Sequence, residues 1–261
     1  MTPHVHNGVL TWDDRPRVLL AGDYPYYRDD PDLWAPKLRA MSAAGLEVVS
    51  FYVPWRHHEL DAGRFAFDGP GNRDLIAFLQ HIRQAGLCAL AKPGPFVHAE
   101  LPLGGLPDRL SPTTDPLVQA ATSADGQPLL SQGRSLPSPH DPVFQWETGT
   151  MAGCRGNGTA PAGPPARALI GVQIGNEGHH GEMAFAVNDV DYCEAAVAAY
   201  GHWAGLAPES VPVDPPRHGD HAGEKGLGNT ERHVRWGPGC ARNCASGWPG
   251  WRAGSTSTSR P

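Results

Sequence analysis

Between Arg17 and Gly105 short apolar runs alternate with stretches of helical periodicity, and this alternation limits the fold more than any other feature of the chain. RVLLAGDY (17–24) is an apolar run ending in Gly and Asp, the pattern of a buried strand. Asp32 then stands where a helix cap belongs. Leu33, Trp34, Leu38 and Met41 follow at helical spacing, and Gly45 is the natural stop. LEVVSFYVPW (46–55) reads as a second buried strand. Asn72 is the candidate cap of the next helix, whose apolar stripe is Leu75, Ile76, Phe78, Leu79 and Ile82, ending at Gly86. LCALAKPG (87–94) is the third strand. Strand–helix–strand units of this length predict parallel strands joined by crossover helices.

A fourth unit follows after a gap. ALIGVQIGNE (168–177) reads as strand and VDYCEAAVAAYGHWA (190–204) as helix. Residues 111–167 between units three and four read mostly as loop. In GTMAGCRGNGTAPAGPP (149–165), five Gly and three Pro argue against an amphipathic helix, so the third crossover helix is expected to be missing or displaced. Residues 1–16 read as an N-terminal tail and 17–205 as the folded part. From 206 to 261 there are 56 residues with two Leu, three Val and no Ile, Met, Phe or Tyr. Such a stretch cannot bury enough apolar surface to offset the entropy of ordering, and it is expected to be disordered. Alternatively it is out of frame. Written in GC-rich codons and read one nucleotide back, residues 240–261 can encode an amphipathic helix running into a strand.

Composition excludes several classes. The net charge is −6 with no basic block, so nothing attracts nucleic acid or an anionic membrane. No apolar stretch approaches the roughly 20 residues of a membrane helix, and the N-terminus lacks the pattern of a signal peptide, so a cytoplasmic location is expected. The five cysteines (Cys88, Cys154, Cys193, Cys240, Cys244) are scattered. Cys240 and Cys244 have no second pair to complete a zinc site, and structural thiols are the expectation.

In parallel barrels function gathers at the C-terminal ends of the strands. Those ends read GDYPYYR (22–28), FYVPWRHHEL (51–60), KPGPFVHAELPLGGLP (92–107) and GVQIGNEG (171–178). Over residues 17–110 and 168–181 their order and wording resemble glycoside hydrolase family 35, the β-galactosidases, with the KPGPFVHAE…GGLP block the most specific element. The resemblance implies an α/β fold, here an incomplete (β/α)8 barrel of about four units. It also implies hydrolysis of terminal β-D-galactosides with retention, a carbohydrate partner, and no cofactor or metal.

Residue by residue, the resemblance makes Glu177 the acid/base and Asn176 the neighbour that binds the hydroxyl beside the anomeric carbon. Tyr52 matches a tyrosine of the galactose pocket, and His98, Ala99 and Glu100 a loop holding further hydroxyls. The wording differs from the family at Pro25, Arg56, Leu60 and Gly175. Retention also needs a second carboxylate, a nucleophile, which the family places at the end of strand seven. The last carboxylate of the chain is Glu231, in a stretch that does not read as strand. The chain is therefore expected to be inactive as it stands. One alternative is a catalytically dead fragment or sugar-binding pseudo-enzyme, another a retaining β-glycosidase of a related barrel family. Among bland readings, His57, His58 and Glu59 are expected to make barrel-mouth hydrogen bonds rather than bind metal. His179 and His180 read as solvated loop, and His4 and His6 as a flexible tail. Trp34 is expected in the core, while Trp55 is divided between core and sugar stacking.

Overall fold

The computed structural model describes residues 3–12, 15–123, 126–156, 168–173, 176 and 191–205. The expectations for Glu177, for His179 and His180, for Cys240 and Cys244, and for the 206–261 tail lie outside these residues. The chain divides into two compact units, Met1–Leu106 with Cys154–Glu177 and Pro107–Gly153 with Gly178–Pro261.

The first unit opens with an antiparallel meander of β1 (Pro3–His6), β2 (Val9–Trp12) and β3 (Arg15–Pro16). This corrects the expected tail. Asn7 and Gly8, both at positive φ, reverse the chain, and the backbone of His6 and Val9 pairs across the turn. Its main sheet comprises β4 (Ala21–Asp23), β5 (Val48–Val53), β8 (Cys88–Pro93) and β11 (Leu169–Val172). The strands lie in the order β11-β8-β5-β4, and every pairing is parallel. Between them run α1 (Pro31–Ala43), the short α2 (Trp55–His58), the β6 (Glu59–Asp61) and β7 (Arg64–Phe65) hairpin, and α3 (Leu75–Gln84). The unit is thus α/β, as its alternating pattern predicts.

Alternation along β5 sorts its two faces. Val49, Phe51 and Val53 join a core with Trp34, Leu38, Phe78, Leu79 and Ile82 of the two long helices. Gly22 of β4 lets α1 approach closely, since a Cβ there would sit 3.0 Å from Met41 and from Leu46.

Three local expectations are corrected. The cap of α1 is Asp30, whose carboxylate accepts from the Asp32 N–H, so Asp32 is already inside the helix. This puts Leu33 on the exposed side, at 44%. The cap of α3 is Asp74, accepting from the Ala77 N–H at 2.8 Å. Asn72 instead donates to the Tyr27 carbonyl at 2.7 Å. The first strand is not buried. β4 pairs only with β5 among the described residues, and Val18 and Leu20 just before it are 88% and 58% exposed. An apolar run signals a strand without revealing whether that strand lies at an edge.

The second unit contains a small hairpin, β9 (Leu130–Ser131) with β10 (Arg134–Ser135), most of the helix α4 (Pro142–Gly156), and the helix α5 (Glu194–Ala204). α4 corrects the loop expected over part of 111–167. Asp141 caps it, accepting from the Phe144 N–H at 2.8 Å, and Pro142 occupies the first helical turn. The Asp–Pro start overcomes the glycines that follow. No helix among the described residues is long and apolar enough to cross a membrane.

Candidate functional site

The face of the parallel sheet opposite the helices turns polar at its C-terminal end. Register places Asp23 beside Ser50 and Tyr52 beside Lys92, so these four side chains project from adjacent strands on one face. The Lys92 ammonium donates to Asp23 Oδ1 at 3.0 Å and Oδ2 at 3.3 Å, and the Ser50 hydroxyl donates to Oδ1. The Tyr52 hydroxyl donates to Oδ2 at 3.4 Å. Lys92 also lies 4.6 Å from the Tyr52 ring centroid, within cation–π reach. Burial raises the pKa of the Tyr52 phenol, and the Asp23 charge pushes it the same way against an opposing pull from Lys92. Tyr52 therefore stays protonated and able to donate.

Next to this cluster stands the loop that follows β8. His98, Ala99 and Glu100 all take positive φ, 52°, 50° and 51°. Left-handed backbone at a non-glycine residue is costly, about 1–3 kcal/mol each, and it persists only where the surroundings hold it. Here they do. Arg28 donates to the Ala99 carbonyl and lies 3.6 Å from the Glu100 carboxylate. Arg56 donates to the Pro102 carbonyl at 2.9 Å and the Leu106 carbonyl at 3.3 Å. The Val97 N–H donates to the Gly104 carbonyl at 2.8 Å, closing the loop on itself. Gly105 permits that closure, because it has φ +94° and a Cβ there would meet Val97 at 2.7 Å.

The structure places the expected site residues as follows. Tyr52 is half-buried at the end of β5. His98 is half-buried with its ring stacked on Phe96, Ala99 is buried, and the Glu100 side chain is 87% exposed. Asn176, just after β11, donates its amide to the Val97 carbonyl at 3.1 Å, which joins the fourth strand end to the 94–107 loop. Glu177 is outside the described residues.

Asp23, Arg28, Arg56 and Lys92 join these residues without being candidates on sequence grounds. All four lie within the strand-end motifs, Asp23 and Lys92 as charged side chains at the ends of otherwise apolar strands and Arg28 and Arg56 in the segments that follow β4 and β5. Trp55 is fully buried beside Phe65, so sugar stacking by it is ruled out. His58 is fully buried too, with Nδ1 2.7 Å from the Ala66 carbonyl and Nε2 2.5 Å from the Tyr26 hydroxyl. A carbonyl can only accept, so Nδ1 carries the proton and Nε2 accepts from Tyr26. Among the described residues no group of three His, Cys, Asp or Glu could hold a metal ion.

Residues 9–122 match the family described as glycosyl hydrolases family 35. The chain is 43% identical to the mouse protein named β-galactosidase-1-like protein over 98 residues, covering 38% of this chain and 15% of that one. It is 28% identical over 209 residues to an exo-β-D-glucosaminidase of Thermococcus kodakarensis, covering 73% of this chain and 24% of that one. The chain therefore spans less than a quarter of the length of these relatives. In fold it is similar to a β-galactosidase from the psychrophilic Marinomonas ef1, with TM-score 0.57 and 14% identity. That match covers 88% of this chain and 34% of the other.

Proposed function

We propose, on the premise that residues 9–122 are family 35 sequence, that this chain carries the sugar-binding mouth and acid/base end of a retaining glycoside hydrolase acting on terminal β-D-galactosides. The parallel sheet is then four strands of an incomplete (β/α)8 barrel, and its polar end is the barrel mouth. The observation that carries this reading is the left-handed run His98–Ala99–Glu100, pinned by Arg28 in the loop that follows β8. Strain maintained by dedicated contacts at a strand end is a mark of a binding site.

In this reading Tyr52 donates to the sugar and the Glu100 carboxylate accepts from its hydroxyls. The Asn176 amide binds the hydroxyl next to the anomeric carbon. Glu177 protonates the departing glycosidic oxygen and later activates water. Retention also requires a nucleophilic carboxylate about 5–5.5 Å from the acid/base. Neither matched segment supplies one, and a sugar-binding chain without turnover is the second reading.

Both are tested with the purified full chain. Methyl β-D-galactoside should bind saturably and in preference to the β-glucoside and β-mannoside, and Glu100→Gln should weaken it about tenfold or more. Equal binding of all three sugars, or none, sinks the galactoside reading. Nitrophenyl β-galactoside should show no useful turnover. Turnover that disappears in Glu177→Gln would reveal a nucleophile within these 261 residues and remove the second reading.

A further inference from the structure

The family resemblance gives Asp23 no role, yet its carboxylate is the centre of the strand-end cluster. Its two oxygens are not equally occupied. Oδ1 takes the Ser50 hydroxyl and the Lys92 ammonium at 3.0 Å. Among the described residues Oδ2 has only long contacts, 3.3 Å from Lys92 and 3.4 Å from the Tyr52 hydroxyl. Good hydrogen bonds to a carboxylate oxygen are shorter than these, and each oxygen can accept about two. Oδ2 therefore keeps acceptor capacity, and the Asp23 side chain is 50% exposed.

Lys92 is the opposite case. Its side chain is only 10% exposed, and a buried ammonium must have an anion beside it. Lys92 thus fixes the orientation of the Asp23 carboxylate, which still faces outward. A second observation points the same way. The Tyr27 hydroxyl is buried and has no hydrogen-bond partner among the described residues. The charges that act on it include Arg28, Glu100 and Asp23.

The geometry points to Asp23 as a further substrate-contact residue, a specificity-determining acceptor for one sugar hydroxyl, with Lys92 as the buried counter-ion that positions it. This rests on the galactoside reading above and adds a residue to it. The ligand group is a neutral hydroxyl and not a cation. Lys92 already neutralises Asp23, so a protonated amino sugar would meet a second ammonium directly behind the carboxylate.

The test uses the full chain, methyl β-D-galactoside and its four monodeoxy derivatives, with binding measured calorimetrically for wild type, Asp23→Asn and Asp23→Glu. The Glu variant keeps an anion for Lys92, so the fold survives while the acceptor is misplaced. Both variants should weaken the parent sugar about tenfold or more, as expected for a hydrogen bond to a charged group. For one deoxy derivative only, wild type and variants should bind alike, because the hydroxyl that Asp23 accepts is gone. A loss of the same size for every derivative would show that Asp23 only holds Lys92, and unchanged binding by Asp23→Glu would show the same. Either result overturns this inference and leaves the galactoside reading intact, whereas a wild-type chain that binds no galactoside overturns both.

Discussion

Phe78 in the first unit sits among Tyr24, Tyr26, Trp34 and Phe51, with ring centroids 4.8–5.4 Å away. The corresponding centre of the second unit is a carboxylate. Asp191, 4% exposed, accepts from the Ser138 hydroxyl at 2.6 Å, from the Cys193 N–H at 3.0 Å and from the Thr122 N–H at 3.2 Å. The Cys193 thiol donates to Ser138 in turn, and burial pushes its pKa up to about 12, so it stays protonated. The first unit is organised by apolar side chains that recur with a period, the second by polar side chains that reach backbone groups far along the chain. The contrast teaches where a folded chain can keep a polar face. Because aromatic packing on the helix side holds the parallel sheet, its other face is left to carry Asp23, Tyr52 and Lys92.

If that contrast is right, the largest effect comes from the aromatic cluster. Phe78→Ala should cost about 3–5 kcal/mol, the range for a buried phenylalanine. Hydrogen exchange should rise across 21–93 while peptides of 107–150 keep their protection. Loss of protection in both would show that the two units do not fold separately.

A smaller effect is expected at the polar centre. Asp191→Ala takes the acceptor from the Ser138 hydroxyl proton and from two backbone N–H groups, and should cost about 2–3 kcal/mol in thermal unfolding. Protection should now fall in 107–150 and persist in 21–93. An unchanged melting temperature would show that the second unit does not depend on this carboxylate.

The smallest effect is shared by both units and follows from two histidines. Burial lowers the pKa of His57 in the first unit and of His140 in the second. Below about pH 6.5 the unfolded chain then binds more protons than the folded one, so stability falls as pH drops from there through the depressed folded values. The Asp29 carboxyl is lowered by the Lys37 and Tyr24 hydrogen bonds, and its contribution is lost only in the acid range below the ordinary carboxylate value. Melting temperature measured from pH 7 to 5.5 should decline, and His57→Gln and His140→Gln should each flatten the decline. A flat profile in the parent would contradict the burial of both rings.

Much of the first unit is legible in the sequence. Val49, Phe51 and Val53 against Phe78 and Ile82 form a periodic pattern, and the strands and helices follow from it. The caps lie two residues from the expected ones, because Asp30 and Asp32, or Asn72 and Asp74, are comparably good N-caps until the backbone selects one. α4 was hidden by Gly149, Gly153 and Gly156, although Asp141–Pro142 marked its start. In the candidate site Tyr52, His98, Ala99, Glu100 and Asn176 came from motif wording. Asp23 and Lys92 did not, since their meaning lies in cross-strand register, and Arg28 did not, since the loop it holds is 71 positions away.

Order along the chain and hydrophobic period were enough to determine a parallel α/β sheet with helices on one face, because burial of an apolar stripe depends only on spacing. Partnership between residues distant in sequence could not be determined that way. Asp23 and Lys92 are 69 positions apart, and so are Thr122 and Asp191. No local property of either residue encodes the other. Only when parallel strands align in register does a lysine without a visible partner acquire its carboxylate, and only the closed 94–107 loop holds three ordinary residues in a left-handed backbone. Those are the features that give the strand ends their chemistry, and they exist because tertiary packing fixes distances that sequence leaves open.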